Sequence, residues 1–238
     1  MRFEQAARSH EGCKRKNNED ALLCRPEIGL WAVADGMGGH AAGDVASALI
    51  VKQLENLTAG PSIGALHMST EAALAEANRE IYQLSREKGR TMGSTVVTLL
   101  VASEGFSYLW AGDSRAYLLR DGAVVPLTRD HSLVQQLVDS GDLTPEAALN
   151  HPNSNIITRA VGHVPKLEIE HGKISAVKPG DIFMLASDGL TRLLGEEEMA
   201  EAMATSDLQA LSDRWMNTAL ERGAPDNVSF ILLRVVTV

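Results

Sequence analysis

Apolar and polar positions alternate, or run apolar between turn residues, near 3–9, 20–24, 30–34, 94–103, 106–111, 115–120, 123–126, 167–174, 181–186 and 228–236. Each of these segments is read as a β-strand. Glu104-Gly105 and Asp121-Gly122 join apolar runs at hairpin spacing, so the middle of the chain reads as an antiparallel meander. Helical spacing occupies 41–57, 70–88 with Gly89 as a stop, and 207–222 with Gly223 as a stop, and shorter helices fit 131–140 and 196–204. Helices therefore enter singly or in pairs between runs of strands, which favours an α+β sandwich over a doubly wound parallel sheet. The stretch 139–162 carries Gly141, Pro145, Pro152 and several Asn, and is expected to form a partly helical excursion beside the sheet. No internal repeat interrupts the pattern, and Gly60-Pro61-Ser62 is too short for an interdomain linker, so residues 1–238 are expected to form one domain.

Composition narrows the class. Hydrophobic residues at 45% and charged residues at 22% suit a packed globular chain, and aromatics at 4% leave the filling of the core to aliphatic side chains. A net charge of −9 repels nucleic acid and anionic membranes. The opening residues hold no apolar run of signal-peptide length, and the most apolar stretch, 95–102, is far too short to span a bilayer, so the cytoplasm is the expected location. Cys13 and Cys24 have no second Cys pair beside them and are expected to be reduced thiols.

The chemistry lies in where certain carboxylates fall. Asp35 ends the run Leu30-Trp-Ala-Val-Ala, Asp113 follows Tyr108-Leu-Trp-Ala-Gly, and Asp188 follows Ile182-Phe-Met-Leu-Ala-Ser. Asp20 and Asp226 instead precede runs, Ala21-Leu-Leu-Cys and Asn227-Val-Ser-Phe-Ile-Leu-Leu. In an antiparallel sandwich, the ends of some strands and the beginnings of others meet at one rim. Any one Asp-Gly is more often a turn than a ligand, and Asp113 alone could cap a turn with Ser114. Five together are different: anions at close quarters repel and are costly to desolvate, and hard divalent cations with oxygen ligands resolve that cost.

At this point the residues match a family. Arg15-Lys-Asn-Asn-Glu-Asp20, Ala34-Asp-Gly-Met-Gly-Gly39, Gly93-Ser-Thr95, Ala111-Gly-Asp-Ser-Arg115, Ala186-Ser-Asp-Gly-Leu190 and Pro225-Asp-Asn227 resemble, in order, the motifs of the metal-dependent protein phosphatases of the 2C type. The likeness runs from about residue 9 to 236. It implies a four-layer α-β-β-α sandwich, two antiparallel sheets flanked by helices, with a dinuclear Mn²⁺ or Mg²⁺ site at one edge. By position, Asp35 resembles the carboxylate that bridges both metals, with the Gly36 carbonyl as a further ligand. Asp188 and Asp226 would complete one shell, and Glu19 and Asp20 would act through water or from behind the ligands. Asp113 resembles the residue that, with Asp188, holds a weaker third cation, and Arg15 the side chain that grips substrate phosphate. A guanidinium suits a pair of phosphate oxygens, although a solvated surface charge is the plain alternative for Arg15.

The resemblance further implies hydrolysis of phosphoserine and phosphothreonine in proteins by in-line attack of a metal-activated water, without a phosphoenzyme. It suggests a stand-alone bacterial form, monomeric, opposing a serine/threonine kinase and acting on that kinase or its substrates. The opening Phe3-Glu-Gln-Ala-Ala-Arg-Ser-His is similar to phosphatases found with type VI secretion clusters. One departure stands out: Met37 follows Asp35-Gly36 where eukaryotic members often carry a His, so leaving-group protonation is expected from a water on the metal. His40 is expected to be structural or exposed, and His131 and His151 fall on the connection into the mobile flap and on the flap itself. The 140–162 stretch is expected to shape substrate access. A scaffold that kept the fold and lost activity is opposed by the complete aspartate set. A nucleotide hydrolase is opposed by the lack of a Gly-x4-Gly-Lys-Ser/Thr loop.

Overall fold

The computed structural model describes residues 1–38, 42–149 and 151–237. The strands are β1 (Arg2–His10), β2 (Asp20–Arg25), β3 (Leu30–Gly38), β4 (Met92–Ser94), β5 (Val96–Ala102), β6 (Gly105–Ala111), β7 (Arg115–Arg120), β8 (Ala123–Pro126), β9 (Glu170–His171), β10 (Ile182–Ala186) and β11 (Val228–Thr237). The helices are α1 (Gly43–Glu55), α2 (Ile63–Lys88), α3 (Leu133–Ser140), α4 (Pro145–Leu149), α5 (Asp188–Thr191), α6 (Glu196–Ala204) and α7 (Leu208–Glu221). One sheet has the order β1-β11-β10-β7-β8. The other runs β2-β3-β5-β6-β9, with β4 added beside the far end of β3. Neighbouring strands pair antiparallel throughout.

The period-2 rule explains how these sheets stack. In β10, Ile182, Met184 and Ala186 face the helices α5–α7, while Phe183 and Leu185 face the other sheet. In β3, Leu30, Ala32 and Ala34 face α1 and α2, while Trp31 and Val33 face the other sheet. Both faces of both sheets are covered, which is why these antiparallel strands are apolar throughout rather than alternating with polar residues. The four layers are thus α1/α2, sheet, sheet and α5–α7, the α+β sandwich that the strand and helix pattern implies.

Several elements differ from expectation. The helix expected at 70–88 begins at Ile63, because Ser62 caps it by accepting from the Ala65 N–H at 3.2 Å, and Ile63, Leu66, Thr70, Leu74, Ala77 and Ile81 form one buried stripe. Gly64 and the polar residues of its first turns hide that start. The strand expected at 94–103 is interrupted at Thr95, where β4 gives way to β5. The strand at 167–174 shrinks to Glu170–His171, because Gly172 lies flat against the Tyr108 ring: a Cβ there would sit 2.0 Å from Tyr108 Cζ. The helix expected at 41–57 is described from Gly43 to Glu55. The excursion at 139–162 contains the short α4, as expected for a partly helical segment. Among the described residues no helix is long and apolar enough to cross a membrane. Cys13 and Cys24 are free, and burial pushes the Cys24 thiol up to about 11.

Phe183 is fully buried between the sheets, edge-on to Phe106 with ring centroids 4.8 Å apart. Phe183→Ala is expected to cost about 3–5 kcal/mol. Urea unfolding should show this as a lower midpoint at unchanged slope.

Candidate metal centre

The site begins with a strand that changes partner. Residues Leu30 to Val33 of β3 pair with β5, whereas Gly36 to Gly38 pair with β4. Asp35 stands at the switch, inside the strand rather than at its end as expected. Thr95, in the matching break between β4 and β5, donates its N–H to the Asp35 carbonyl at 2.8 Å and accepts from the Asp35 N–H on Oγ1 at 3.2 Å. Ser94 Oγ donates to the same carbonyl at 2.9 Å. The Asp35 backbone is therefore held entirely by the Gly93-Ser-Thr95 motif.

The other carboxylates arrive from separate segments. Asp20 opens β2 and lies directly across from Asp35, accepting from Ser187 Oγ at 3.0 Å. Asp188 follows β10 as the first residue of α5, and Asp226 precedes β11. Gly36 packs so closely that a Cβ would fall 2.1 Å from the Gly43 carbonyl oxygen and 2.6 Å from that of Glu19. Glu19 is fixed by its backbone, donating to Asn227 Oδ1 at 2.8 Å and accepting from Ser47 Oγ at 2.6 Å and from the Gly36 N–H at 3.1 Å. Asn227 also donates to the carbonyls of Glu11 and Asn17, at 3.0 and 2.9 Å. It thereby staples the loop bearing Arg15 to the start of β11, a role the motif Pro225-Asp-Asn227 signals without specifying.

Asp113 sits in the β6–β7 connection, only 4% exposed. Gly112 before it adopts φ +110°, and a Cβ there would come within 2.6 Å of Thr95 Cβ. His131 clamps this peptide from both sides: its N–H donates to the Gly112 carbonyl at 2.9 Å, and its Nδ1 accepts from the Gly112 N–H at 3.1 Å. Because Nδ1 accepts, the network assigns the proton to Nε2, which lies 3.2 Å from Glu170 Oε1. The ring stacks on Trp110 with centroids 5.8 Å apart, and burial lowers its pKa. His131 thus shapes the Asp113 loop, while His151 closes a local turn by accepting from the Asn153 N–H at 3.1 Å. His40 lies outside the described residues.

Electrostatics confirm the crowding. Burial, then the charges of Asp20, Asp188, Asp113 and Asp226, push the Asp35 carboxyl well above the usual range. Burial raises Asp20 to about 7 against hydrogen bonds from Ser229 and Ser187, and raises Asp113 to about 7 with help from Asp188 and Asp130. Burial also raises Asp188, opposed by Arg192, and Glu19, reinforced by Asp44. Two buried carboxylate oxygens, Asp20 Oδ1 and Asp113 Oδ1, have no hydrogen-bond partner.

Two guanidiniums flank the cluster. Arg15 grips Asp226 with both ends of its fork, Nε to Oδ1 at 2.9 Å and Nη2 to Oδ2 at 2.7 Å. Arg192, which sequence reasoning missed, lies 2.9 Å from Asp188 Oδ2 and 3.8 Å from Asp113 Oδ2. The spacing 188/192 on a helix was its only sequence signal. Arg192 also donates to the Ser154 carbonyl at 3.3 Å and to Asn155, tying the 139–162 excursion to the cluster. With these guanidiniums in place, no three His, Cys, Asp or Glu side chains among the described residues close round a single point as a ready-made cage. Mg²⁺-like ions are commonly held by one or two carboxylates with waters making up the rest.

The family model described as Protein phosphatase 2C matches residues 8–223. Serine/threonine protein phosphatase PstP of Mycobacterium tuberculosis is 39% identical over 235 residues, covering 97% of this chain and 45% of the relative, so the chain spans about half the length of that protein. A structure described as PppA, a key regulatory component of T6SS in Pseudomonas aeruginosa, superimposes with a TM-score of 0.91 at 42% identity over 98% of both chains. The catalytic domain of PstP in complex with two manganese ions superimposes with a TM-score of 0.83 at 34% identity over 99% of both chains. With the motifs, the two-sheet architecture and a family model that spans most of its length, this chain belongs to the protein phosphatase 2C family.

Proposed function

We propose that this chain is a metal-dependent hydrolase of phosphoserine and phosphothreonine in proteins. The observation that carries the reading is the gathering of Asp20, Asp35, Asp113, Asp188 and Asp226 around the β3 partner switch, with buried oxygens of Asp20 and Asp113 left without donors. Hard divalent cations suit such an array, since its carboxylate oxygens are hard donors and Arg15 and Arg192 reach only Asp226, Asp188 and Asp113 among the five. Asp35, the Gly36 carbonyl, Asp188 and Asp226 would hold two ions. Asp20 and Glu19 would support them through water, and Asp113 with Asp188 would hold a weaker third ion. When bound, a pair of Mn²⁺ or Mg²⁺ ions supplies an activated water and neutralises charge in the in-line transition state.

The chain's own groups do the rest. Arg15 is a half-exposed guanidinium on a loop pinned by Asn227, placed to take two phosphate oxygens. Met37 offers no proton, so the leaving alkoxide would have to take its proton from a water at the site. The manganese in the PstP catalytic domain supports the choice of ion, and the likeness to PppA supports a place beside a type VI secretion system; an opposing serine/threonine kinase and a cytoplasmic location are part of the same proposal. We take residues 1–238 as one phosphatase domain, acting as a monomer, with the flap at about 139–162.

Phosphate release from a phosphothreonine peptide tests the reading. Release should require Mn²⁺, and Asp35→Ala or Asp188→Ala should lower it by more than the ~10–100-fold that loss of a supporting group costs at a metal site. Wild-type rates in either variant would refute the ligand assignment. Arg15→Ala should raise KM by about 10- to 100-fold, the loss of one charge-assisted hydrogen-bond pair, while kcat is largely kept.

A second prediction concerns the metal-free protein. Asp20 and Asp113 keep protons up to about 7 when folded, against about 3.9 when unfolded. The stability they lend is complete below the unfolded value and is lost as pH rises through about 7. In EDTA, Tm should therefore fall between pH 5 and pH 8. Mn²⁺ should reverse the trend, since ligation needs deprotonated carboxylates, and Asp113→Asn should flatten it.

A further inference from the structure

Between α3, α4 and α5 lies a cavity of about 310 Å³ that opens directly beside the carboxylate cluster, since Asp113 and Asp188 form part of its lining. Its opposite wall is apolar: Val134 and Val138, one turn apart on α3, face Pro145 and Ala148 of α4. No residue of α3 is fully buried, although Leu133, Val134, Leu137 and Val138 place apolar side chains on it at helical spacing. The helix is nonetheless firmly framed, with Ser132 Oγ accepting from the Gln135 N–H at 3.2 Å and Gly141 ending it at φ +81°. The chain thus holds an apolar strip in place next to its reactive centre, and the described residues leave it only half-buried.

We propose that this cavity is a substrate subsite that takes an aliphatic side chain lying within two residues of the phosphoserine or phosphothreonine. The inference rests on the phosphatase reading and specifies its substrate class. Continuity argues for the occupant: Asp113 and Asp188 belong both to the carboxylate cluster and to the cavity lining, so residues beside a phosphate held at the cluster come within reach of the cavity. Charge decides its chemistry. Arg115 is neutralised by a bidentate pair with Asp130, at 2.8 and 2.7 Å, and Arg192 is engaged by Asp188 and Ser154. On the phosphatase reading Asp113 and Asp188 would be taken by cations, and Arg192 would then keep its contacts with the Ser154 carbonyl and Asn155 Oδ1. What remains for a ligand is the apolar wall beside the uncharged polar residues Ser132, Gln135 and Thr191. None of these carries a charge to pair with a charged side chain, whereas an aliphatic one takes the half-buried Val134 and Val138 further from water. The volume is about twice the ~150 Å³ of a dry cavity that binds benzene, enough for Leu, Ile or Phe.

The test uses the full chain with Mn²⁺ and a set of phosphothreonine peptides in which each position from two before to two after the phosphoresidue is in turn Leu, Ser or Lys. Hydrolysis of p-nitrophenyl phosphate by the wild type is followed in parallel. At one position Leu should exceed Ser by about 10-fold or more in kcat/KM, through KM, the range expected for a lost apolar pocket contact. That selectivity should collapse in Val138→Ser, which weakens the wall, and in Val138→Phe, which fills the cavity, with folding of both checked by near-UV circular dichroism. Equal rates for Leu and Ser at every position, a preference for Lys, or selectivity that survives both variants overturns the subsite. Failure to hydrolyse any peptide or p-nitrophenyl phosphate overturns the phosphatase reading itself.

Discussion

Mutual repulsion among carboxylates is the constraint around which this structure is arranged. Asp20, Asp35, Asp113, Asp188 and Asp226 come from five different segments, and the burial that collects them raises the carboxyls of Asp20, Asp35, Asp113 and Asp188 above their ordinary range. Such a cluster is destabilising by itself, at several kcal/mol for each uncompensated buried ion. The fold tolerates it because the carriers are held from elsewhere: Thr95 and Ser94 satisfy the Asp35 backbone, His131 clamps the peptide before Asp113, and Asn227 joins two loops that meet at Asp226.

Rigidity of this kind comes from the layers behind the rim. Both sheets are covered on both faces, so β3, β10 and β11 run through continuous packing on either side. Close-packed interiors resist small displacements, and strand ends anchored in them keep their positions even when charges at those ends repel. The excursion over 139–162 lies outside these layers and is tied to the cluster by the Arg192 contacts with Ser154 and Asn155.

Much of this was legible in the residues. Two hairpins at Glu104-Gly105 and Asp121-Gly122, period-2 runs and separately placed helices implied the antiparallel sandwich, and the positions of aspartates beside apolar runs implied one rim. What was not legible has physical causes. The start of α2 depends on one serine cap ahead of Gly64, a residue that weakens helical spacing. The break at Thr95 depends on β3 changing partners, a non-local event that no window of sequence contains. Arg192 and Asn227 act through neighbours some 37 and 210 residues away, at Asn155 and Asn17, and their local signals, the 188/192 spacing and the Pro225-Asp-Asn227 motif, do not identify those partners.

The Arg15–Asp226 pair carries one more meaning. The Arg15 guanidinium is bound at both ends of its fork to Asp226. If Asp226 holds a cation and Arg15 a phosphate, as proposed, the two events would be thermodynamically linked, and an unloaded chain would be a poorer trap for phosphoproteins than a loaded one. Cells short of manganese or magnesium would then hold a bystander rather than a competitor that shields phosphosites without clearing them.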